Sequence, residues 1–173
     1  RYNRFHTAGI CSPTRATLLT GRNPHAAGFG HVGEMSTGHD GYVGFIPNTT
    51  ATVAEVLRQH GYATAMFGKN HNTPAWEAGP AGPFNHWPNA MGFDYFYGFL
   101  HGATNQWRPA LVENSTPIRP YLNNPDYHFD DDIADHAIGW LRSQQALAPG
   151  KPFFVYYAPG AAHEPLQPRP EYA

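Results

Sequence analysis

The spacing of apolar side chains switches between helical and strand periods along this chain, and the order of the switches predicts its architecture. Residues 12–20 predict a short helix: Pro13 is tolerated in a first turn, where its missing N–H would go unpaired anyway, and Gly21 closes the far end. Residues 23–48 are rich in glycine and histidine, keep no period and read as loop. Over 52–60, Val53, Val56 and Leu57 fall on one helical face, with Thr50 or Thr52 as cap and Gly61 as stop. Residues 62–67 form a short β run closed by Gly68. The stretch 70–124 is dense in Pro, Gly, Trp and Asn, with short strands at 93–99 and 110–113. The clearest helix lies over 130–145, where Ile133, Ala134, Ala137, Ile138 and Leu141 share a face and Asp130, Asp131 and Asp132 favour the N-terminus. Residues 153–158 are a strand with little alternation, as expected when both faces are buried in a parallel sheet. This order of helices and strands predicts an α/β sandwich with no repeat and no domain boundary.

Composition narrows the partners. The 173 residues suffice for one domain with a real core. With 11 Lys and Arg against 13 Asp and Glu, 14% charged residues and no basic block, the chain is not built for nucleic acid. No apolar run approaches the length of a membrane span; residues 153–158 stop at Pro159. The chain starts at Arg1 without a signal peptide, so periplasmic, secreted and cytoplasmic locations all stay open. The 18 glycines and 17 prolines come with 14% aromatics, which predicts long ordered loops around a site rather than disorder.

The single cysteine, Cys11, has no disulfide partner within the chain and opens the run Cys11-Ser12-Pro13-Thr14-Arg15-Ala16-Thr17-Leu18-Leu19-Thr20-Gly21-Arg22. It falls at or just before a helix N-terminus, whose unpaired N–H groups favour negative charge. Arg15, one turn on and on roughly the same face, is within reach of it. A nucleophile precursor, a helix dipole and a fixed cation at one spot imply attack on an anionic centre. A buried structural cysteine is the plain alternative.

This run resembles the signature of the type I sulfatases, in which Cys-x-Pro-x-Arg marks a cysteine oxidised to formylglycine. Thr14 stands where many members carry serine. Two later segments resemble the same family. Gly68-Lys69-Asn70-His71 follows the strand at 62–67, with Asn70 in place of a common tryptophan, and alternation would put Lys69 and His71 on one side. Pro159-Gly160-Ala161-Ala162-His163-Glu164-Pro165 follows the strand at 153–158. Both lie beyond carboxyl ends of strands, where open parallel sheets place their sites. The runs 92–99, 104–107 and 81–84 look like arylsulfatase segments too. The resemblance implies an alkaline-phosphatase-like sandwich with a mostly parallel central sheet, incomplete here. It makes residues 1–173 a partial sulfatase catalytic domain lacking the first metal-binding strand and the C-terminal part, and inactive when isolated.

Other patterns carry less. Gly28-Phe29-Gly30-His31-Val32-Gly33 fits a dinucleotide fingerprint but lacks the strand before it and the helix after it. His25, His31 and His39 have no zinc-ligand spacing. His101 and Trp107 read equally as lining of a substrate entrance or as ordinary packing. Asn48-Thr49-Thr50 and Asn114-Ser115-Thr116 are glycosylation sequons, meaningful only in a secreted eukaryotic protein.

The resemblance implies hydrolysis of sulfate esters through the hydrate of a formylglycine made from Cys11 by a maturation enzyme. One hydroxyl of modified Cys11 binds a divalent cation, usually calcium, and attacks sulfur; loss of a proton from the other expels sulfate. Arg15 holds the hydrate, Lys69 supplies a cation to a sulfate oxygen, His71 is the base, and His163 binds sulfate and assists the leaving oxygen. Calcium needs six to eight oxygens, and beyond Cys11 the resemblance places the rest outside this chain; Asp130, Asp131 and Asp132 belong to a helix start. Two other functions compete: a phosphodiesterase or phosphonate monoester hydrolase of the same superfamily, and a non-catalytic glycan-binding fragment with Trp- and Tyr-rich loops as its surface.

Overall fold

The computed structural model describes residues 2–173. Its centre is β1 (Ala63–Lys69), every residue of which is buried. β2 (Tyr95–Phe99) and β5 (Phe153–Ala158) flank it, both parallel to it, and β3 (Leu111–Glu113) and β4 (Thr116–Ile118) extend the sheet beyond β2 in antiparallel pairing. The order across the sheet is β4-β3-β2-β1-β5. The sheet is therefore mixed, parallel at its centre and antiparallel at one side.

Side chains alternate across β1 and feed two cores. Ala65 and Phe67 join Tyr97, Phe99, Phe129, Ile133 and Ala137 on the face covered by α3 (Phe129–Leu147). Met66 joins Leu19, Ala54, Trp87, Phe93 and Phe96 on the face covered by α1 (Cys11–Thr20) and α2 (Val53–Gln59). Helices on both faces of a sheet make the sandwich that the period switches predict. Thr52, not Thr50, caps α2: its Oγ1 accepts from the Glu55 N–H at 3.1 Å and donates to the Met91 carbonyl at 2.5 Å. Gly21 closes α1 in the left-handed conformation, φ 67°, with its N–H on the Thr17 carbonyl.

Near their carboxyl ends the three parallel strands leave no room for a side chain at two positions. Gly68 stands opposite Gly98 on one side and Ala158 on the other. A Cβ on Gly98 would lie 1.9 Å from the Gly68 carbonyl oxygen, and one on Gly68 would lie 2.0 Å from that of Ala158. Glycine at 68 and 98 is what lets the strands deliver the next residues, Lys69 above all, to a common end.

Two expectations need correction. β5 is not buried on both faces: it is the outer strand of the described sheet, and Phe153 and Tyr157 are exposed. Its apolar run packs on both faces but is only partly covered on each: Phe154 and Tyr156 meet the Met66 core, and Val155 meets the Phe67 core, with Phe153 edge-on to Trp140. β4 was not predicted, because three residues that include Pro117 carry no readable alternation. Asn114, the first residue of a sequon, makes the β3–β4 turn at φ 54°, and its Oδ1 accepts from the Phe96 N–H and the Asn89 amide.

Candidate active site

The carboxyl end of β1 and the start of α1 meet. Cys11 is the first residue of α1, half-buried, and α1 has no side-chain cap, so its first N–H groups remain open. Ser12 ties this helix start down: its Oγ accepts from the Gly33 N–H at 3.3 Å, and its carbonyl accepts from the Asn72 amide at 3.1 Å. Two loops thereby converge on the residue beside Cys11.

Arg15 does not simply reach back to Cys11. Its Nη1 donates to the Lys69 carbonyl at 2.7 Å and to the Tyr156 hydroxyl at 3.4 Å, pinning the guanidinium across the ends of β1 and β5. Its Nε is buried without a partner.

Lys69 is only 3% exposed. Burial pushes its ammonium below the ordinary lysine range. Cys11 and Glu34 act to restore it, and Arg15 opposes it further. Cys11, Arg15, Lys69 and Glu34 thus share one small electrostatic neighbourhood, in which two cations face a thiol and a carboxylate.

His71 joins that neighbourhood by a route that strand alternation does not describe. Its backbone turns into the left-handed region, φ 56°, with its N–H on the Leu100 carbonyl at 3.2 Å. The ring is buried, and its Nε2 lies 2.7 Å from Glu34 Oε1. Burial lowers the imidazole below its ordinary value; Glu34 counters this, while Lys69 and Arg15 add to it. Nδ1 is buried and has no partner. Asn70 is fully buried and donates to Thr73 Oγ1 at 2.6 Å, which in turn donates to the His86 carbonyl. It braces the turn between Lys69 and the loop that follows.

Among the described residues His163 forms no hydrogen bond or ion pair with Cys11, Arg15, Lys69 or His71. It is exposed on the loop after β5, its Nδ1 2.9 Å from the Glu164 carbonyl, and it lines a cavity of about 380 Å³ with Gln106, His128, Arg169 and Tyr172. Trp107 packs edge-on against His128, and His101 lines a different cavity with Trp87 and Arg108. The Gly28–Gly33 run has no strand before it and only a single 3-10 turn, Gly33–Met35, at its end, and a Cβ on Gly28 would strike the Phe45 carbonyl, so it serves chain packing.

Sequence reasoning passed over Glu34, Asn72 and Tyr156. Glu34 lies in a single 3-10 turn, Gly33–Met35, inside the stretch that the sequence presents as loop, and it meets His71 across 37 residues, a separation that no local pattern reports. Among the described residues no three His, Cys, Asp or Glu side chains stand close enough to hold a metal ion. The environment of Cys11 does suit a polar, hydroxyl-bearing side chain, since the open helix start and Lys69 both face it.

Comparison with known proteins places this arrangement. The chain is 31% identical to an uncharacterized sulfatase, PB10D8.02c, of Schizosaccharomyces pombe, over 99% of its own length and 33% of that protein. It is 31% identical to arylsulfatase G of Mus musculus, over 100% of its length and 36% of that protein. The chain therefore spans about a third of the curated relatives it matches. Among solved structures it superposes on Ps i-CgsB bound to k-i-k-neocarrahexaose with a TM-score of 0.72 at 26% identity, covering 92% of this chain and 36% of that one. It superposes on BT4656 bound to its substrate D-glucosamine-2-N,6-O-disulfate with a TM-score of 0.70 at 26% identity, covering 99% of this chain and 29% of that one. The fold is the alkaline-phosphatase-like α/β fold of these enzymes. The family model for sulfatases matches residues 1–173, from the cysteine motif at one end to the His163 loop at the other, and the chain belongs to the sulfatase family.

Proposed function

We propose that the protein bearing this chain hydrolyses sulfate esters, with residues 1–173 as the central part of its catalytic domain. The observation that carries the reading is the meeting of Cys11, Arg15 and Lys69: two cations, one buried, beside a single cysteine at an open helix N-terminus. Such a place attracts a tetrahedral anion and holds charge that develops on its oxygens.

Oxidised to formylglycine by a maturation enzyme, Cys11 supplies a hydrated aldehyde whose hydroxyl is the nucleophile. The remaining roles belong to the chain's ordinary side chains. Arg15, already anchored on the Lys69 carbonyl, steadies the start of α1 and offsets negative charge at residue 11. Lys69 donates to a sulfate oxygen; its depressed ammonium lies in a dry setting where each contact counts for more than in water. His71 is neutral and takes a proton from residue 11. His163 binds sulfate and protonates the departing oxygen; its motif and its loop at the end of β5 support this role. Calcium, which the family uses, finds no ligand set among the described residues, so only its contact with modified Cys11 is assigned to this chain.

Turnover by the complete protein tests the reading. Coexpressed with a formylglycine-generating enzyme, it is expected to cleave aryl sulfates, and the sulfated sugar bound by one relative names a second substrate to assay. Faster turnover of phosphate diesters than of any sulfate ester overturns it.

A further inference from the structure

Glu34 has no part in the motifs that mark this family, yet it makes the one side-chain bond to a buried ring beside Lys69. Its Oε1 lies 2.7 Å from His71 Nε2; Glu34 comes from a one-turn 3-10 helix, Gly33–Met35, and His71 from the loop after β1. A carboxylate only accepts, so the imidazole nitrogen facing it carries the proton. The other nitrogen, Nδ1, then holds the lone pair, and it is the one left buried with no partner.

The ring has little freedom to turn over. His71 is 6% exposed, and Gly102 lies flat against it: a Cβ at 102 would stand 2.8 Å from Cε1 and 3.0 Å from Nε2. Its backbone is held at φ 56° by the bond to Leu100, in a region that bulky side chains rarely adopt. Strain of this kind persists only where the surroundings impose it. Both carboxylate and ring are set for the pairing, since Glu34 stays ionised: burial raises its carboxyl, but the His71 bond and the nearby Lys69 bring it below the ordinary value.

We infer that Glu34 is a positioning residue, whose carboxylate holds His71 in the tautomer with Nε2 protonated and Nδ1 free as the base. When Nδ1 takes a proton, the ring becomes an imidazolium that keeps its Nε2–H on Glu34, and the carboxylate offsets the new charge. Glu34 acts through His71 and touches no reacting atom. The effect on turnover rests on the sulfate-ester reading; the tautomer does not.

Imidazole ¹⁵N spectra of the protein decide the tautomer first. His71 is expected to show a pyrrole-like Nε2 and an unprotonated Nδ1 in the wild type, and to move toward a mixture of tautomers in Glu34→Ala. In the complete, modified enzyme, Glu34→Ala is expected to lower kcat by about 10–100-fold, the usual effect of removing a partner behind a working histidine, with KM little changed. Glu34→Gln, whose carboxamide oxygen still accepts from Nε2–H but carries no charge, is expected to restore the tautomer and recover part of that loss. A wild-type ring protonated on Nδ1 overturns the inference without need of any variant. So does a Glu34→Ala enzyme with wild-type kcat. The predicted tautomer in a protein that cleaves no sulfate ester supports the Glu34 assignment and overturns the functional reading beneath it.

Discussion

Arg15 donates from Nη1 to the carbonyl oxygen of Lys69 at 2.7 Å, so the helix that begins at Cys11 is bonded directly to the end of the central strand. The bond makes one guanidinium serve both fold and site. Arg15→Lys keeps the charge but has no planar fork to span Lys69 and Tyr156. It is expected to lose about 1.5–3 kcal/mol of stability, the range for a hydrogen bond to a charged group. Arg15→Ala should lose at least as much and most of the turnover. Urea denaturation of both variants checks this; a Lys variant as stable as the wild type would mean that the bond contributes nothing.

Cys11 is expected to be found as formylglycine when the protein is made alongside a maturation enzyme, because the lone cysteine keeps its Pro13 and Arg15 context at a half-buried helix start. Peptide mass spectrometry with an aldehyde-trapping reagent reads the result. Only unmodified thiol, from a host that modifies other sulfatases, would rule the modification out. Cys11→Ala should abolish turnover and leave the thermal transition near that of the wild type.

The strand-end packing predicts a substitution that fails for steric reasons alone. Gly98→Ala would bring a Cβ to 1.9 Å from the Gly68 carbonyl, backbone that cannot yield without separating β1 from β2. A loss of about 3 kcal/mol or more is expected, at the upper end for overpacking. Soluble, fully stable Gly98→Ala protein would show that the strands are further apart than described.

Away from the site, Asp132 gathers the Tyr97 hydroxyl at 2.5 Å, the Tyr127 hydroxyl at 2.7 Å and His136 at 3.0 Å. Burial raises the Asp132 carboxyl, but the bonds from His136, Tyr97 and Tyr127 bring it below 3.8. The Asp132 bond holds His136 above 6.5 against its burial. The aspartate's contribution is present above its unfolded value and is lost as pH falls through the lowered folded one. That of His136 is present below its unfolded value and is lost as pH rises through the raised folded one. Wild type minus Asp132→Asn, measured as Tm, should therefore be largest at about pH 5–6 and shrink on both sides. A difference that is flat with pH would assign the cluster to packing alone.

Much of this architecture is legible in the chain because short-range patterns carry it. Ile133 and Ala137 mark the buried face of α3, and Gly68 marks the end of the β1 run, within a residue or two of the observed bounds. The cysteine run, Lys69 and His71 are legible as a family resemblance. What escapes is long-range or too short. The Glu34–His71 pair joins a single 3-10 turn, in a stretch whose sequence has no period, to a residue in a left-handed turn, and Thr116-Pro117-Ile118 is a strand only because Leu111 to Glu113 lies beside it. β5 misleads for a third reason: its aromatics look buried by type, while Phe153 and Tyr157 lie exposed at the sheet's outer strand.

Lys69, His71 and His163 should fail in different ways if they serve one sulfate. Replacing any of them by alanine in the complete enzyme is expected to lower kcat/KM by about two to four orders of magnitude, the scale for a positioned acid, base or electrostatic group. The losses should not add, because the three act on one reaction. His163→Ala should harm poor leaving groups such as alkyl sulfates more than nitrophenyl sulfates, which depart with little help from a proton. His71→Ala should instead slow release of sulfate and let the covalent species accumulate, visible by mass spectrometry of the quenched enzyme. His163 stands apart in the described residues, with its Nδ1 on the Glu164 carbonyl, so the leaving-group comparison is the decisive one for it. Equal losses on both substrate types, with sulfate affinity unchanged, would remove His163 from the leaving-group side. Full activity in Lys69→Ala would dissolve the constellation, because no other lysine is buried beside Cys11.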